Sequence, residues 1–322
     1  MRPPRYLGGY RAVAFFRHAL RVTLGTGALV SETARTILFP RQCGNRLLAV
    51  ALMLCVSACG VFAGTPETTL SKTTPQHYLC HYTEHALPID GRLDKPAWKS
   101  APWSEDFRDI EGDSKPKPRF RTRVKMLWDD TYFYVAAELE EPHVWATLTQ
   151  HDSVIFQDND FEVFIDPDGD TLNYYEFEMN ALNTGWDLLL DKPYKAGGKA
   201  RNEWEIPGLK TAVHINGTLN NPLDKDTGWT LEIAFPWKVL GEYAHQHAPP
   251  REGDEWRVNF SRVEWLTEIV DGKYHKLPGK KEDNWVWSPQ GIIDMHVPEK
   301  WGYVQFTRKK SSRQLPLTGS DH

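Results

Sequence analysis

The fold of this chain is decided by the stretch Asp160-Phe-Glu-Val-Phe-Ile-Asp-Pro-Asp-Gly-Asp-Thr-Leu-Asn-Tyr-Tyr-Glu-Phe-Glu-Met-Asn180. At both ends of it polar and apolar side chains alternate, which is the pattern of a β-strand with one face buried and one exposed. Between the two ends, Asp166-Pro-Asp-Gly-Asp170 consists of residues that favour turns. The stretch therefore predicts two strands, at 160–166 and 173–180, joined by a turn.

The same kind of segment recurs on both sides of this pair, separated by turn residues. We predict further strands at 122–128, 132–139, 185–191, 210–216, 228–235, 256–264 and 302–307. Only two short helices are indicated, one at 95–100 with Asp94 as its N-cap and one at 236–243 that begins at Pro236. So many strands and so little helix predict an all-β fold, an antiparallel β-sandwich of the jelly-roll or immunoglobulin-like kind.

The charge of the chain is unevenly distributed. The whole sequence has 38 basic and 43 acidic residues, a net charge of −5. Residues 1–58 contain eight Arg, no Lys and a single acid, Glu32, which leaves 30 basic and 42 acidic residues in the rest of the chain. A domain this acidic repels a phosphate backbone, so nucleic-acid binding is excluded. Intrinsic disorder is excluded as well, because 40% of the residues are hydrophobic and 12% are aromatic.

The N-terminal region is typical of an exported protein. The apolar run Leu47–Val56 follows Arg41 and Arg46 and is too short to cross ~30 Å of hydrocarbon as a helix, so it predicts a signal peptide. The segment Val56-Ser-Ala-Cys59 resembles the lipobox of bacterial lipoproteins and predicts lipidation of Cys59; ordinary cleavage after Ala63 is the alternative. We expect a cell-envelope lipoprotein at the outer membrane or cell surface, or otherwise a periplasmic or secreted protein.

The chain divides into four parts. Residues 1–58 are predicted to be leader and signal peptide, 59–77 a flexible tether rich in Thr, Pro and Ser, 78–307 the sandwich, and 308–322 a disordered tail. Cys80 is the one thiol of the sandwich, and a single cysteine forms no intrachain disulfide, so we expect a buried structural Cys. We expect a monomer that touches the membrane only through its lipid anchor.

Four motifs carry a resemblance to a known family. They are Ile89-Asp-Gly-Arg-Leu-Asp-Lys-Pro-Ala-Trp98, Val124-Lys-Met-Leu-Trp-Asp-Asp-Thr-Tyr-Phe-Tyr-Val135, Asp160-Phe-Glu-Val-Phe-Ile-Asp166 and Pro298-Glu-Lys-Trp-Gly-Tyr-Val-Gln-Phe306. In this order, across residues 78–307, the chain resembles family 9 carbohydrate-binding modules. The resemblance implies a β-sandwich that binds sugar without cleaving it, supporting the capture and breakdown of polysaccharides or oligosaccharides, and several members of the family bind calcium.

The resemblance also implies a set of site positions, from which this sequence departs. Glu162 corresponds to the family's sugar-binding carboxylate, and Asn259 to a polar amide. Phe156 stands where the family has a Trp, and Met295 lies near the position of the second stacking Trp. Glu178 stands where the family has an Arg, so the charge is reversed and a forked donor is lost. The usual aromatic clamp is therefore not preserved, and Glu162 and Glu178 are expected to face each other.

The residues themselves support a sugar site independently. Alternation places Glu176, Glu178 and Asn180 on one face of their strand. Sugar hydroxyls need fixed donors and acceptors, and the C–H faces of sugar rings stack on aromatic side chains. Trp285 and Trp287 are candidate replacement rings. The predicted ligand-binding residues are Phe156, Glu162, Glu178, Asn180, Asn259, Trp285 and Trp287. The alternative interpretation is that these are ordinary strand positions and core tryptophans.

A calcium site is one further candidate. Asp166, Asp168 and Asp170 offer oxygen ligands of the kind that Ca²⁺ prefers. We favour a plain Asp-Gly turn over calcium binding at this segment, since the spacing does not match an EF-hand. No catalytic residue and no certain cofactor are predicted.

Three other functions remain as alternatives. Glycoside hydrolysis would use Glu162 and Glu178 as paired carboxylates, ~5–10 Å apart. A haem-binding sandwich would draw its axial ligands from four residues, which are Met126, Met179, Met295 and His296. A surface protein that binds another protein, with a degenerate sugar site, is the third.

Overall fold

The computed structural model describes residues 73–309. Within them the chain forms fifteen strands, which are β1 His77–Tyr82, β2 Arg108–Asp109, β3 Thr122–Trp128, β4 Tyr132–Glu140, β5 Asp160–Asp166, β6 Tyr174–Asn180, β7 Gly185–Leu190, β8 Ala200–Arg201, β9 Lys210–Asn216, β10 Gly228–Pro236, β11 Glu255–Glu264, β12 Thr267–Val270, β13 Lys273–Lys276, β14 Asp283–Val286 and β15 Gly302–Thr307. The α-helices of this region are α1 Pro96–Ser100 and α2 Trp237–Leu240. Neither has the length or the apolar character to cross a membrane. The all-β prediction with two short helices is confirmed.

Thirteen of these strands belong to one continuous sheet. Its order is β8-β7-β6-β5-β11-β15-β1-β3-β4-β10-β9, with β14 added beside β11 and β2 beside β14, while β12 and β13 form a separate hairpin. The sheet curls so that its halves pack face to face. For example, Phe177 of β6 meets Phe235 of β10 with ring centroids 5.9 Å apart. The main core lies between these two layers, as the sandwich prediction requires.

One strand departs from the antiparallel pattern. β1 lies between β15 and β3 and runs parallel to both. It buries Tyr78 and Cys80, and Trp128 donates from Nε1 to the Cys80 carbonyl at 3.1 Å. The Cys80 side chain has no exposed surface, and its burial raises the pKa of the thiol. The expectation of a buried structural cysteine is met, and β1 joins the two layers where the sheet curls.

The nine predicted strands are all present, with bounds that differ from the prediction by at most one residue. The N-cap prediction for α1 was wrong, because the cap position is Lys95 and no side chain caps the helix. The Lys95 ammonium instead reaches across to Glu232 of β10, at 2.8 Å. Glu232 also accepts a hydrogen bond from Trp98 Nε1 at 2.6 Å, so Trp98 is scaffold, as expected. Helix α2 is shorter than the predicted 236–243, with Pro236 at its N-cap.

The described residues begin within the predicted tether and end within the predicted tail. The predicted leader and signal peptide, Cys59 with the lipobox, residues 59–72 of the tether and residues 310–322 of the tail lie outside the described residues. The first residues of the predicted tail are among them, where Arg308 pairs with Asp130 at 2.6 Å.

Candidate functional site

The outer face of β5, β6 and β11 carries an unusual group of acids. Side chains of a strand alternate between its faces, so the even-numbered positions of β5 and β6 point away from the main core. Glu162 of β5 lies directly opposite Glu178 of β6, and on its other side it lies opposite Ser261 of β11. The two acids that were expected to face each other therefore do so. We call Asp160, Glu162, Glu176 and Glu178 the acidic cluster.

Burial dominates the electrostatics of this cluster. Its four side chains are between 0% and 5% exposed, and one oxygen from each of Asp160, Glu162 and Glu178 lies within 4.8 Å of the others. Desolvation raises the pKa of Glu162 to about 7. It raises the pKa values of the other three well above the normal carboxyl range, and their mutual repulsion adds to the effect. At neutral pH the cluster therefore holds protons that exposed carboxylates would have lost.

The cluster is only partly satisfied by hydrogen bonds. Asp160 accepts one from the backbone N–H of Val263 at 3.1 Å, and Glu178 accepts one from the backbone N–H of Phe156 at 3.0 Å. The second oxygen of Asp160 is fully buried and has no hydrogen-bond partner among residues 73–309. Across the same described range, no Lys or Arg side chain forms an ion pair with any of the four acids. Buried acids with so few partners are expected where a ligand supplies the rest.

Three half-buried rings surround the cluster, and we call Phe156, Trp186 and Trp265 the aromatic rim. Trp186 of β7 lies opposite Glu178 in the sheet register. Its ring lies 6.5 Å from that of Phe156, centroid to centroid, with 32° between the planes. Trp265 follows β11 and donates from Nε1 to the Phe156 carbonyl at 2.9 Å, while the Lys276 ammonium lies 3.6 Å from the Trp265 ring centroid.

Phe156 was predicted from the sequence, but Trp186 and Trp265 were missed. Trp186 could have been predicted by extending the strand alternation from β6 to the next strand, β7. It shares a face with Glu178 because the two are direct cross-strand neighbours. No comparable pattern marks Trp265, because it follows the end of its strand.

The two predicted replacement rings are in the wrong place to stack on a sugar. Trp285 is 3% exposed and Trp287 1% exposed, and both pack in the main core. Trp287 lies against Gly302, where an added Cβ would come within 2.3 Å of the indole. On the short strand β14 it is Val286 that points to the outer face, opposite Ser261. In this segment the two Trp side chains therefore point into the core, whereas the stacking prediction required them to point outward.

The two predicted amides are structural. Asn180 is fully buried; its NH₂ group donates to Leu148 O and Asp158, and its oxygen accepts from the backbone N–H groups of Leu182 and Thr184. Asn259 bonds the backbone of Ser288 and Phe260 in the same way. Because all their hydrogen-bonding groups are occupied by the fold, neither amide is placed to read a sugar.

The remaining part of this outer face is closed by a second apolar cluster. It is formed by Ile110, Phe164, Tyr174, Leu188, Leu190, Val286, Met295 and Trp301. Met295, near the expected position of a stacking Trp, is 8% exposed and so offers no open face. The neighbouring His296 shares a hydrogen bond with the Tyr174 hydroxyl at 3.0 Å, and burial lowers its pKa to about 4.

The residues considered as haem ligands are divided between two apolar clusters. Met126 and Met179 pack in the main core, whereas Met295 packs in the second cluster, with His296 beside it in the chain. A Met and a His that share a site would have to come from the same cluster, and only the sequence neighbours Met295 and His296 meet that condition.

The acidic turn after β5 does not gather its three aspartates. Asp166 is buried and turns both oxygens back on the loop, accepting from the backbone N–H groups of Gly169 and Thr171 at 3.0 Å each. Asp168 instead contacts His245, with 2.6 Å between Oδ2 and Nδ1. The favoured interpretation of a plain turn accounts for Asp166, since both of its oxygens are already occupied.

Comparison with known proteins agrees with this architecture. A family model described as "Carbohydrate family 9 binding domain-like" matches residues 89–251. A putative carbohydrate-binding protein from Bacteroides uniformis has the same fold, with a TM-score of 0.51 and 17% identity over 72% of this chain and 100% of that one. A family 9 module from Caldicellulosiruptor kristjanssonii, solved with cellotriose, superposes with a TM-score of 0.48 and 15% identity over 75% of this chain and 99% of that one.

Two curated relatives match a shorter part of the chain. Endo-1,4-beta-xylanase C of Paenibacillus barcinonensis is 29% identical over 148 residues, which are 46% of this chain and 11% of that enzyme. Exoglucanase XynX of Acetivibrio thermocellus is 26% identical over 117 residues, 36% of this chain and 9% of that enzyme. The match thus spans about a tenth of each relative. Because the family model covers half of the sequence, including the whole stretch from Asp160 to Asn180, this chain belongs to the carbohydrate family 9 binding domain-like family.

Proposed function

We propose that this protein binds a polysaccharide or oligosaccharide on the aromatic rim and does not cleave it. The observation that carries the proposal is the position of three half-buried rings around buried, incompletely satisfied carboxyls, on one face of a family 9 domain. Aromatic faces and fixed polar groups are the two elements that a sugar site requires. The relatives named as a xylanase and an exoglucanase support a plant-type polysaccharide as the ligand class.

The rim is suited to stacking from one side. A sugar held between two rings needs about 8 Å between their planes, since each contact takes about 4 Å. The rings of Phe156 and Trp186 are closer than this, at 6.5 Å between centroids, so together they form a platform. The sugar lies on this platform with one face toward the rings, and its edge hydroxyls point toward the acidic cluster.

The protonation of the cluster suits a neutral ligand. Carboxyls with raised pKa values include protonated groups at neutral pH, which donate hydrogen bonds, beside ionised ones, which accept. A sugar hydroxyl both donates and accepts, so it can bridge the two kinds. This mixture replaces the Arg that the family has at the position of Glu178.

The spacing of the acids favours binding over hydrolysis. Oxygens of Asp160, Glu162 and Glu178 lie within 4.8 Å of one another, on the same sheet face. A glycosidase holds its two carboxyls ~5–10 Å apart, on either side of the bond to be broken. With side chains 5% and 2% exposed, Glu162 and Glu178 leave no room for a sugar ring between them.

The place of action in this proposal is the cell envelope. The basic and apolar pattern of residues 41–58, followed by Cys59, supports export and attachment by a lipid anchor. The polar segment 65–76 would hold the sandwich away from the membrane, where it meets polysaccharide outside the cell.

Calorimetric titration of the full chain against a panel of xylo- and gluco-oligosaccharides tests the site. The variants are Trp186→Ala, Phe156→Ala and Glu162→Ala, and we expect each ring variant to bind roughly 30-fold more weakly, since a central stacking ring contributes about 2 kcal/mol. The matched control is Trp103→Ala, which removes another half-buried indole, one that packs 4.1 Å from the Arg123 guanidinium. Unchanged affinity in both Phe156→Ala and Glu162→Ala would overturn the proposal.

A further inference from the structure

A second group of ionisable side chains lies at the edge of the sheet, apart from the acidic cluster. The loop before the turn at 155–157 contributes His151 and Asp152, strand β7 contributes Asp187, and the loop after β8 contributes Glu205. We call these four residues the edge cluster. Three separate segments of the chain thus bring their polar side chains to one point.

The distances from His151 to its three neighbours are those between ligands of one ion, and His151, Asp152 and Glu205 each place a ligand atom within 4.8 Å of the others. His151 Nε2 lies 3.3 Å from Asp152 Oδ1, 3.3 Å from Asp187 Oδ1 and 3.1 Å from Glu205 Oε2. Imidazole nitrogen and carboxylate oxygen bind zinc at about 2.0–2.2 Å, which places neighbouring ligand atoms roughly 3.0–3.5 Å apart. All three distances fall in this interval.

The orientation of the His151 imidazole also fits a metal ligand. His151 Nδ1 lies 2.9 Å from the carbonyl oxygen of Gly185. A carbonyl only accepts, so Nδ1 carries a proton and Nε2 is directed at the three carboxyls, where it can hold either a second proton or a metal ion. Metal-binding histidines are held in this way, with the second ring nitrogen donating to a backbone carbonyl or a carboxylate.

Asp187 supplies the independent observation. It is 2% exposed, and its Oδ2 accepts from the backbone N–H of Ile206 at 2.5 Å. Its Oδ1, which faces His151, has no hydrogen-bond partner in the described part of the chain. A buried carboxylate oxygen without a hydrogen-bond partner is unfavourable unless a cation lies beside it.

We propose that His151, Asp152, Asp187 and Glu205 bind one divalent transition-metal ion, with zinc as the best fit. Three carboxyls and one imidazole bring more negative charge than a protonated histidine can balance. A nitrogen donor among oxygens favours zinc over calcium, which prefers oxygen ligands alone. Four protein ligands make a closed, structural site. The ion would attach the loops carrying His151 and Glu205 to strand β7, next to Trp186 of the rim.

Zinc titration of the full chain tests this proposal without any sugar. The chain is prepared without a polyhistidine tag, treated with chelator and dialysed, then titrated with zinc chloride by calorimetry and heated with and without zinc. We expect saturable binding of one ion and a rise in the unfolding midpoint of roughly 5–10 °C at a hundredfold excess over the dissociation constant. The result does not depend on whether the rim binds carbohydrate.

Three variants locate the ion. His151→Gln and Glu205→Gln are each expected to bind zinc at least about tenfold more weakly, which is the lower end of the effect of disturbing even an outer-shell partner. The control is His245→Gln, which removes the imidazole from the exposed group formed with Asp168 and Asp170 and should leave zinc affinity unchanged.

Several results would overturn the proposal. One is the absence of saturable zinc binding by the unaltered chain. Another is wild-type affinity in His151→Gln, or an equal loss in His245→Gln. Calcium binding that rivals zinc and survives in His151→Gln would rule out a transition-metal site.

Discussion

On the outer face of the layer formed by β3, β4 and β10, the carboxylate of Glu232 is buried beneath the segment 89–98. On the outer face of the layer formed by β5, β6 and β11, the four carboxyls of the acidic cluster are buried side by side. Glu232 has no exposed surface, and the acids of the cluster are at most 5% exposed, so the two faces do not differ in burial.

They differ in partners. Glu232 accepts hydrogen bonds from the backbone N–H groups of Asp90 and Gly91 at 2.8 Å each, from the Lys95 ammonium and from Trp98 Nε1. Gly91 adopts φ +80°, and a Cβ there would lie 2.6 Å from the backbone nitrogen of His214, so this turn requires glycine. Asp90, Gly91, Lys95 and Trp98 of the motif thus all contribute to neutralising one acid.

The acidic cluster has no such arrangement. Its acids receive isolated backbone bonds from Val263 and Phe156, and their charges raise one another's pKa values. The comparison teaches that burial of an acid does not identify a binding site. A site is indicated where the fold leaves the buried acid without enough partners.

The largest effect that tests this comparison is expected at Glu232. Its replacement by Ala leaves the Lys95 ammonium, whose side chain is 11% exposed, with the exposed Asp90 as its remaining carboxylate partner and deprives Trp98 Nε1 of its acceptor. Breaking a buried ion pair in this way costs about 3–5 kcal/mol. Urea denaturation of Glu232→Ala against the unaltered chain measures the loss.

Glu138→Ala is the matched control for this experiment. Glu138 of β4 pairs with Arg121 and Arg123 at 3.0 and 2.9 Å, but its side chain is 31% exposed. Ion pairs at the surface contribute at most about 1 kcal/mol. A cost for Glu232→Ala no greater than that for Glu138→Ala would mean that the partners of Glu232 do not stabilise the fold.

The contrast between the two faces was only partly open to sequence analysis. Alternation and turn chemistry predicted both β5 and β6, and the family resemblance predicted that Glu162 would face Glu178. Alternation could not show which face of the sheet Trp285 occupies, because strand β14 has only four residues and so short a run fits either face. The Trp there was therefore assigned to the surface, although it packs in the core.

Long-range contacts account for what the sequence could not predict. Strand β1 pairs with β15, which lies more than two hundred residues away in the chain, and no local sequence pattern predicts a parallel partner. The amides of Asn180 and Asn259 are occupied by loops whose paths depend on the whole fold. The edge cluster likewise joins residues 151, 152, 187 and 205, which meet only because their loops reach the same edge of the sheet.

An effect of intermediate size is expected when the stability of the protein is measured against pH, because of the buried acids on the outer face of β5. The pKa values of Glu162 and Asp166 are raised to about 7 by burial, whereas in the unfolded chain these groups titrate near their normal values. The folded state therefore binds more protons, and its stability is greatest at low pH and is lost as the pH rises through about 7. Each proton taken up contributes about 1.4 kcal/mol per pH unit.

The comparison is best made between pH 8 and pH 6.5. In that window the buried His296, whose pKa is lowered to about 4, stays neutral in the folded state, while the unfolded histidine becomes half protonated at pH 6.5; this opposes the trend by only about 0.4 kcal/mol. We expect the free energy of unfolding, measured by urea titration, to be higher at pH 6.5 by at least about 1 kcal/mol. Equal or lower stability at pH 6.5 would show that the acidic cluster is compensated after all.

The smallest effect, and the one that separates the two faces most clearly, is expected for Glu178→Gln. The amide oxygen can still accept from the backbone N–H of Phe156, while the carboxyl whose pKa is raised by burial and by the charges of its neighbours in the acidic cluster is removed. Replacing one member of a repelling group should stabilise the protein at pH 8 by about 1 kcal/mol and flatten its pH dependence. The equivalent change at the well-partnered acid, Glu232→Gln, should destabilise it instead, since the ammonium of Lys95 loses the buried one of its two carboxylate partners. If both Gln variants lowered the unfolding free energy at pH 8, the fold would need the charge of Glu178 as much as that of Glu232, and the acidic cluster would have to be regarded as part of the scaffold.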